Sequence, residues 1–327
     1  MASTAPTLEL RDVRKAYGDF VAVAGISLAV EPGGICGLLG PNGAGKTTTL
    51  RMIMDIIAPD AGEVWLFGRP RRPEDLRRIG YLPEERGLYR KMTVLDQLLF
   101  LAELRGLKRR EALPKIEGWL ERVELAAWSK KKVEELSKGM QQKIQLIGTV
   151  LHEPDLLILD EPFSGLDPIN QGLFKELLVD YRQKGRTILF STHGMEQAEK
   201  LCDHIGLISH GRLVLAGELR EIKRRLGGNS FRLVATGDLA RIASVPGVAH
   251  AIPRDGKGEL LGAGTGAQGG GTAGGAESGT PIKLLLEPDA RGPEVLRRLV
   301  TFLEVREFRS EEPDLEEIFI QAVRDAA

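Results

Sequence analysis

The sequence predicts an α/β fold with a mostly parallel sheet, interrupted by a helical subdomain and followed by a small α+β domain. Three observations carry that expectation. Short β-branched apolar segments alternate with helical patterns from Leu8 to about Leu226. The stretch from about Thr93 to Val150 is helical in pattern, with no strong strand, and the character of the chain changes after Gly227-Gly228. Apolar runs alternating with helices are those of strands covered on both faces, the setting of a parallel sheet.

Taken in order, Gly34–Leu39 reads as a compact buried strand, followed by a glycine-rich turn and a helix from about Lys46. Asp155–Leu159 and Thr187–Ser191 are two further buried-strand signals, each with a helical pattern behind it. Ile205–Leu215 reads as two strands around the turn His210-Gly211. Beyond the glycine pair come Phe231–Ala235, a short helix, Val248–Ile252, Ile282–Leu286, a helix over Pro293–Leu303 and Val305–Phe308. That β-α-β-β-α-β order is expected of a ferredoxin-like domain, here closed by a helix from about Asp314 to Val323. The division is therefore 8–226, with its helical subdomain at about 93–150, and an accessory domain at 230–327. Gly262–Thr280 is dominated by Gly, Ala, Thr and Ser. It offers almost no apolar surface against the entropy of ordering it, so it reads as a flexible loop between the two middle strands.

Composition narrows the function. The 327 residues suffice for one large and one small domain, and 42% hydrophobic with 28% charged residues is ordinary for a globular protein. A net charge of -1 removes the bulk electrostatic case for a nucleic-acid partner, and Arg69 to Arg72 and Lys130 to Lys132 read as solvated loops. Cys36 and Cys202 lie in apolar stretches without metal-ligand spacing and read as reduced core thiols. No apolar run approaches the ~18 residues of a membrane-crossing helix, and Met1 to Thr7 lacks the pattern of a signal peptide. A role at a membrane would need another chain to supply the membrane part.

The chemistry is concentrated in two places. Gly40-Pro41-Asn42-Gly43-Ala44-Gly45-Lys46-Thr47 fits G-x-x-x-x-G-K-[ST], between a strand and a helix. Glycines allow a tight loop of inward N–H groups, and the helix N-terminus behind it favours anions. Lys46 can bridge β- and γ-phosphates while the Thr47 hydroxyl ligates Mg²⁺. Then Leu156-Leu157-Ile158-Leu159-Asp160-Glu161 is an apolar strand delivering Asp160 to its carboxyl end, where ligands sit in open α/β sheets. Asp160 would hold Mg²⁺, directly or through water, and Glu161 is the natural general base for an attacking water. Two acids after a strand can also merely open a turn. The loop at Gly40 decides for the site.

A phosphate loop alone leaves kinases, GTPases and motors open, and no Asn-Lys-x-Asp guanine-reading motif is present. Leu136-Ser137-Lys138-Gly139-Met140 resembles the signature of the ABC family, usually written LSGGQ, with Lys138 for its first glycine and Met140 for its glutamine. The resemblance covers about Leu8 to Leu226. It implies that ATP and Mg²⁺ are bound, with Tyr17 stacked on adenine and Asn42, Gly43, Gly45, Lys46, Thr47 and Thr48 around the phosphates. Ser137 and Gly139 would hold the nucleotide of a second subunit, and Asp167, in Ser164-Gly165-Leu166-Asp167, would belong to a loop crossing the dimer interface. His193 matches the family's switch histidine at the γ-phosphate. Glu84, in Gly80-Tyr81-Leu82-Pro83-Glu84-Glu85, stands where most members carry glutamine, and is similar in this to sodium- and drug-efflux exporters that also end in a small C-terminal domain. The implied roles are catalysis for Glu161, His193 and Glu84, and metal binding for Thr47, Asp160 and Glu84.

The resemblance further implies an ATPase that dimerises around ATP and powers export through a separate polytopic membrane permease. Such a subunit is peripheral, at the cytoplasmic face of the cell membrane. A homodimer is preferred to a heterodimer, and the surface from Glu84 to Thr93, including Arg86 and Arg90, is expected to meet the permease. A soluble ATPase acting on ribosomes or DNA and a regulatory switch sensing a ligand through the C-terminal domain are the competing readings. The transported substrate is not written in this chain, since its contacts belong to the partner.

Overall fold

The computed structural model describes residues 5–85, 87–226, 230–253, 279–287, 289–311 and 314–325. Most of the glycine-rich segment, 262–278, and Arg86 lie outside them. One compact unit runs through Leu219 and takes in the residues from Phe319, while the other spans Arg220–Ile318.

The first unit begins with an antiparallel sheet in the order β2-β1-β4-β5, formed by β1 (Leu8–Tyr17), β2 (Phe20–Val30), β4 (Ala61–Leu66) and the short β5 (Arg69–Pro70). These strands were not individually placed from the sequence. β1 and β2 form a hairpin that ends on the pair Tyr17–Phe20. Between β2 and β4 the chain makes β3 (Ile35–Leu39) and helix α1 (Lys46–Ile53).

The central sheet has the order β10-β9-β3-β8-β7-β6, with β6 at Ile79–Leu82, β7 at Leu156–Asp160, β8 at Thr187–Thr192, β9 at His204–Ser209 and β10 at Arg212–Glu218. Its pairings are parallel except for β10 on β9. Every residue of β3, β7 and β8 is buried, as the unbroken apolar runs require. β3, β7 and β8 match the expected strands to within a residue, the turn His210-Gly211 joins β9 to β10, β10 runs three residues past the expected Leu215, and β6 was not placed from the sequence.

The helical part holds α2 (Val94–Leu104), α3 (Arg109–Arg122) and α4 (Lys138–Val150), which share an apolar core that includes Leu98, Ile116, Leu120, Ile144 and Ile147. Thr93 starts α2 because its hydroxyl accepts a hydrogen bond from Asp96 N at 3.1 Å. Ser137 starts α4 in the same way, accepting from Met140 N at 3.3 Å. Helices α5 (Pro168–Gln183) and α6 (Met195–Leu201) flank β8 in sequence. Asp167 caps α5 through Asn170 N at 3.0 Å, with Pro168 in the first turn, where a missing N–H costs nothing. A short helix, α7, covers Leu219–Leu226 and opens the second unit, which starts at Arg220.

The second unit contains β11 (Ser230–Gly237), β12 (Val248–Pro253), β13 (Thr280–Leu286) and β14 (Leu303–Ser310), with helix α8 at Gly292–Leu299; α9 covers Leu315–Asp325, and only its residues up to Ile318 belong to this unit. The sheet order is β12-β13-β11-β14, antiparallel throughout, so that the first strand lies between the third and the fourth. That is the strand order of a ferredoxin-like domain. Two details differ from expectation. The first connection is a 3₁₀ helix, Leu239–Ser244, and α8 stops at Leu299 because Leu303 already pairs with Gly237 as β14 begins.

Candidate functional site

The carboxyl ends of β3, β7 and β8 converge on one cavity of ≈ 360 Å³, lined by Asn42, Gly43, Gly45, Lys46, Thr47, Thr48, Glu84, Glu161, Ser164 and His193, with Phe20 and Ala22 at the side of β2. The loop after β3 is shaped by its glycines. Gly40 has φ 155°, and a Cβ there would lie 2.2 Å from Ile208 O. Gly45 has φ 104°, and its Cβ would meet Ala22 O at 2.4 Å. Only residues without a side chain fit this path. The loop is also tied from behind, where Gly211 N donates to Ala44 O at 3.0 Å.

Lys46 opens α1 and folds back over its own loop. Its Nζ donates to Gly40 O at 2.7 Å and Pro41 O at 3.1 Å, and stands 3.4 Å from Glu161 Oε1. Both charged groups are more than nine-tenths buried. An ammonium held by two carbonyls and a carboxylate is a cation placed for an incoming anion, because those three contacts can be exchanged for phosphate oxygens.

The two acids after β7 are fixed by one hydroxyl of the neighbouring strand. Ser191 Oγ donates to Asp160 Oδ1 at 2.6 Å and accepts from Glu161 N at 3.0 Å. The β7–β8 register places Asp160 directly opposite Ser191. Glu161 has φ 47°, a left-handed conformation that a side-chain-bearing residue rarely adopts, and the bonds of its N–H to Ser191 hold it there. His193, just beyond β8, places Nδ1 3.0 Å from Glu161 Oε2. Glu161 thus lies between an ammonium and an imidazole, with its carboxylate at the cavity.

A cation fits the same corner. Thr47 Oγ1 donates to Asp160 Oδ1 at 3.2 Å, and Asp160 Oδ2 is buried without a hydrogen-bond partner. An orphaned carboxylate oxygen beside a hydroxyl is the hard oxygen donor set that Mg²⁺ takes.

Not every expected residue joins this cavity. Tyr17 does not line it, whereas Phe20, its partner across the hairpin, does. Ser137 and Gly139 sit at the start of α4, outside the cavity, with the Ser137 hydroxyl engaged as a helix cap. Asp167 is likewise outside it, and its carboxyl is held below the usual range by the backbone N–H of Asn170. Gly139 faces that same Asn170, whose Nδ2 would lie 3.0 Å from an added Cβ. Phe20, Ser191 and two glutamines of α4 were missed from the sequence. Ser191 had a readable sign, a hydroxyl residue at the end of an apolar strand. Cys36 and Cys202 are buried, and desolvation pushes the Cys36 thiol up to about 12 and Cys202 well above its ordinary value, which suits unreactive core thiols.

Comparison with known proteins adds three findings. The ABC transporter family model matches residues 23–164. An uncharacterized ABC transporter ATP-binding protein of Bacillus subtilis, YhaQ, is 42% identical over 97% of this chain and 98% of its own length. The linearmycin resistance ATP-binding protein LnrL of the same organism is 35% identical over 74% of this chain and 80% of its own, and the Nod factor export ATP-binding protein I of Cupriavidus metallidurans 39% over 66% and 72%. Among solved structures, an ATP-binding subunit of an ABC transporter superposes with a TM-score of 0.63 at 32% identity, over 68% of this chain and 93% of that one. CbiO1 of Clostridium perfringens gives 0.58 at 26% identity, over 68% and 95%.

Proposed function

We propose, since the chain belongs to the ABC transporter ATP-binding family, that it is the ATP-hydrolysing subunit of an export system whose membrane part is a separate polytopic chain. ATP hydrolysis and work with a membrane permease are properties of the family. Export comes from the relatives named for Nod factor export and linearmycin resistance. The observation that carries the reading is the single cavity in which Lys46, Thr47, Glu161 and His193 meet, with Asp160 against its wall. Among the described residues no helix is long and apolar enough to cross a membrane. A peripheral position at the cytoplasmic face fits that observation.

In this reading the N–H groups of the loop at Asn42 to Gly45 and the Lys46 ammonium bind the β- and γ-phosphates. Thr47 and Asp160 would hold Mg²⁺, which when bound offsets phosphate charge. Glu161 takes the proton of the attacking water at its carboxylate. His193 orients that carboxylate through Nδ1 and presents the rest of its half-exposed ring to the γ-phosphate. Glu84 enters the cavity from the loop after β6. Adenine rests at the β1–β2 hairpin, on Tyr17 with Phe20 at the cavity edge. The N-terminus of α4, with Ser137 and Gly139, and the loop at Asp167 point to a second copy of this chain that completes each site. A 13-residue helix offers its positive end to a phosphate there.

Purification of the tagged Glu161→Gln protein from its native membranes in mild detergent with ATP tests the reading. A stoichiometric polytopic protein in the eluate is expected. Recovery of an ATP-dependent soluble dimer alone would return the chain to the soluble members of its family.

A further inference from the structure

The two acidic residues of the cavity that come from different strands, Glu84 and Glu161, are both tied to the same helix. Along α4, Gln142, Gln145 and Thr149 fall at i, i+3 and i+7, one face of a helix that is otherwise largely apolar where buried. Each reaches a backbone carbonyl of a site segment. Gln142 Nε2 donates to Pro162 O at 3.2 Å, one residue past Glu161. Thr149 Oγ1 lies 3.4 Å from Tyr81 O, although its one proton has a nearer acceptor within the helix, Gln145 O at 2.9 Å. Gln145 does more, because its Nε2 stands 3.3 Å from both Pro83 O and Glu85 O. The two protons of one amide thus bracket Glu84 on either side of the chain.

This bracket is buried. Gln145 is 7% exposed, so water does not compete freely for the two carbonyls. α4 lies directly on β6 beneath it, where a Cβ on Gly80 would come 2.5 Å from Thr149 O. Glu84 and Glu85 themselves are exposed. The amide therefore ties the main chain on both sides of Glu84, and the carboxylate between its two acceptors is the one that lines the cavity.

We propose that Gln145 is a positioning residue, which through the Pro83 and Glu85 carbonyls holds the Glu84 carboxylate at the nucleotide site and locks it to the helix that begins at Ser137. The inference rests on the reading of Glu84 as a site residue. A shift of α4, whatever causes it, is then transmitted to Glu84 by hydrogen bonds to main-chain atoms, independently of the side chains in the loop.

The test is a double-mutant cycle on the full chain, with Glu84→Ala, Gln145→Leu and their combination assayed for kcat, KM for Mg-ATP and thermal midpoint. Losing two buried donors is expected to lower kcat about tenfold, with KM within about threefold. In the Glu84→Ala background the same change should cost less than about twofold. Equal losses from Gln145→Leu in both backgrounds would mark a merely structural role and overturn the proposal. If Glu84→Ala alone turns over at the wild-type rate, the reading of Glu84 fails and the inference with it. If Glu84→Ala impairs turnover but Gln145→Leu does not, only the inference fails. Gln145→Glu, which turns a carboxylate toward the same two carbonyls, gives a second measurement should the leucine variant not fold. Faster amide hydrogen exchange at Glu84 and Glu85, with Gly43 and Gly45 unchanged, is the expected result, and unchanged exchange at Glu84 and Glu85 overturns the proposal.

Discussion

Replacing Glu161 by glutamine separates two roles of one carboxylate. The amide keeps the shape and can still accept from Lys46 or His193, but it cannot take a proton from water. Loss of a positioned general base lowers a rate by about 10²–10⁴, which is roughly 3–5 kcal/mol of barrier. The same carboxylate also neutralises Lys46 at 3.4 Å. At an effective dielectric of about 20 such a pair has a gross attraction of roughly 5 kcal/mol, much of it offset by what each ion gave up on leaving water. With that attraction weakened, Lys46 exchanges its partners for phosphate at lower cost, and one negative charge fewer faces the triphosphate. Nucleotide affinity in the presence of a chelator should therefore rise about tenfold while turnover in Mg-ATP falls by at least about a hundredfold. Equilibrium binding of a fluorescent ATP analogue and steady-state phosphate release measure the two. Turnover within about threefold of wild type would remove Glu161 as the base, and weaker binding in chelator would show that its charge helps rather than hinders the phosphates.

Gly40→Ala places a Cβ 2.2 Å from Ile208 O, so it should abolish ATP binding while a melt of the folded protein remains cooperative; retained binding would refute the assigned loop path. If Phe20 borders the base, Phe20→Ala should raise KM for ATP and for GTP alike by about 1–2 kcal/mol equivalent, the scale of aromatic stacking contacts, and an effect on neither would leave Tyr17 alone at the base. His152 is held neutral by burial, its pKa lowered to about 4 with the Arg105 charge assisting. The unfolded chain then binds a proton between about pH 6.5 and pH 4 that the folded one refuses, so stability should fall as pH drops through that window, and His152→Gln should flatten the slope of the urea midpoint between pH 7.5 and 5. In the second unit Lys283 is 2% exposed and pairs with Glu317 at 2.8 Å and Asp314 at 3.3 Å. Lys283→Ala should cost about 3–5 kcal/mol by stranding a buried carboxylate, and adding Glu317→Leu should recover part of it in chemical denaturation; additive losses would count against the pairing.

What was legible in the sequence is what a short stretch of chain must do by itself. The loop at Gly40 demands glycine where a Cβ would strike a carbonyl, the helix behind it must begin at Lys46, and an apolar strand must end in the acids it delivers. Each is a local requirement that leaves a local spelling, and each was found in place. The antiparallel sheet of β1, β2, β4 and β5 left a fainter one, because its strands carry mixed burial, β1 for example alternating irregularly between buried and exposed positions. Register shifts between Leu10 and Val13 and between Lys15 and Ala16 break the period-of-two pattern that would have announced it.

The site residues that escaped are those whose role exists only through pairing across the fold. Ser191 serves Asp160 and Glu161 from 31 and 30 positions away, because β8 lies beside β7 in a register that puts Asp160 opposite it. Phe20 reaches the cavity because the hairpin sets it across from Tyr17. Gln142 and Gln145 belong to the same class, yet they did leave a trace. In a helix whose neighbours Ile144, Leu146 and Ile147 are buried, a 7%-exposed glutamine at position 145 has to find partners for its amide or lose about 1–3 kcal/mol. A buried polar residue among apolar ones on α4 therefore implies an acceptor outside that helix. The acceptors were the carbonyls flanking Glu84, and the cost of leaving them unpaired is what ties the start of α4 to the acid at the cavity.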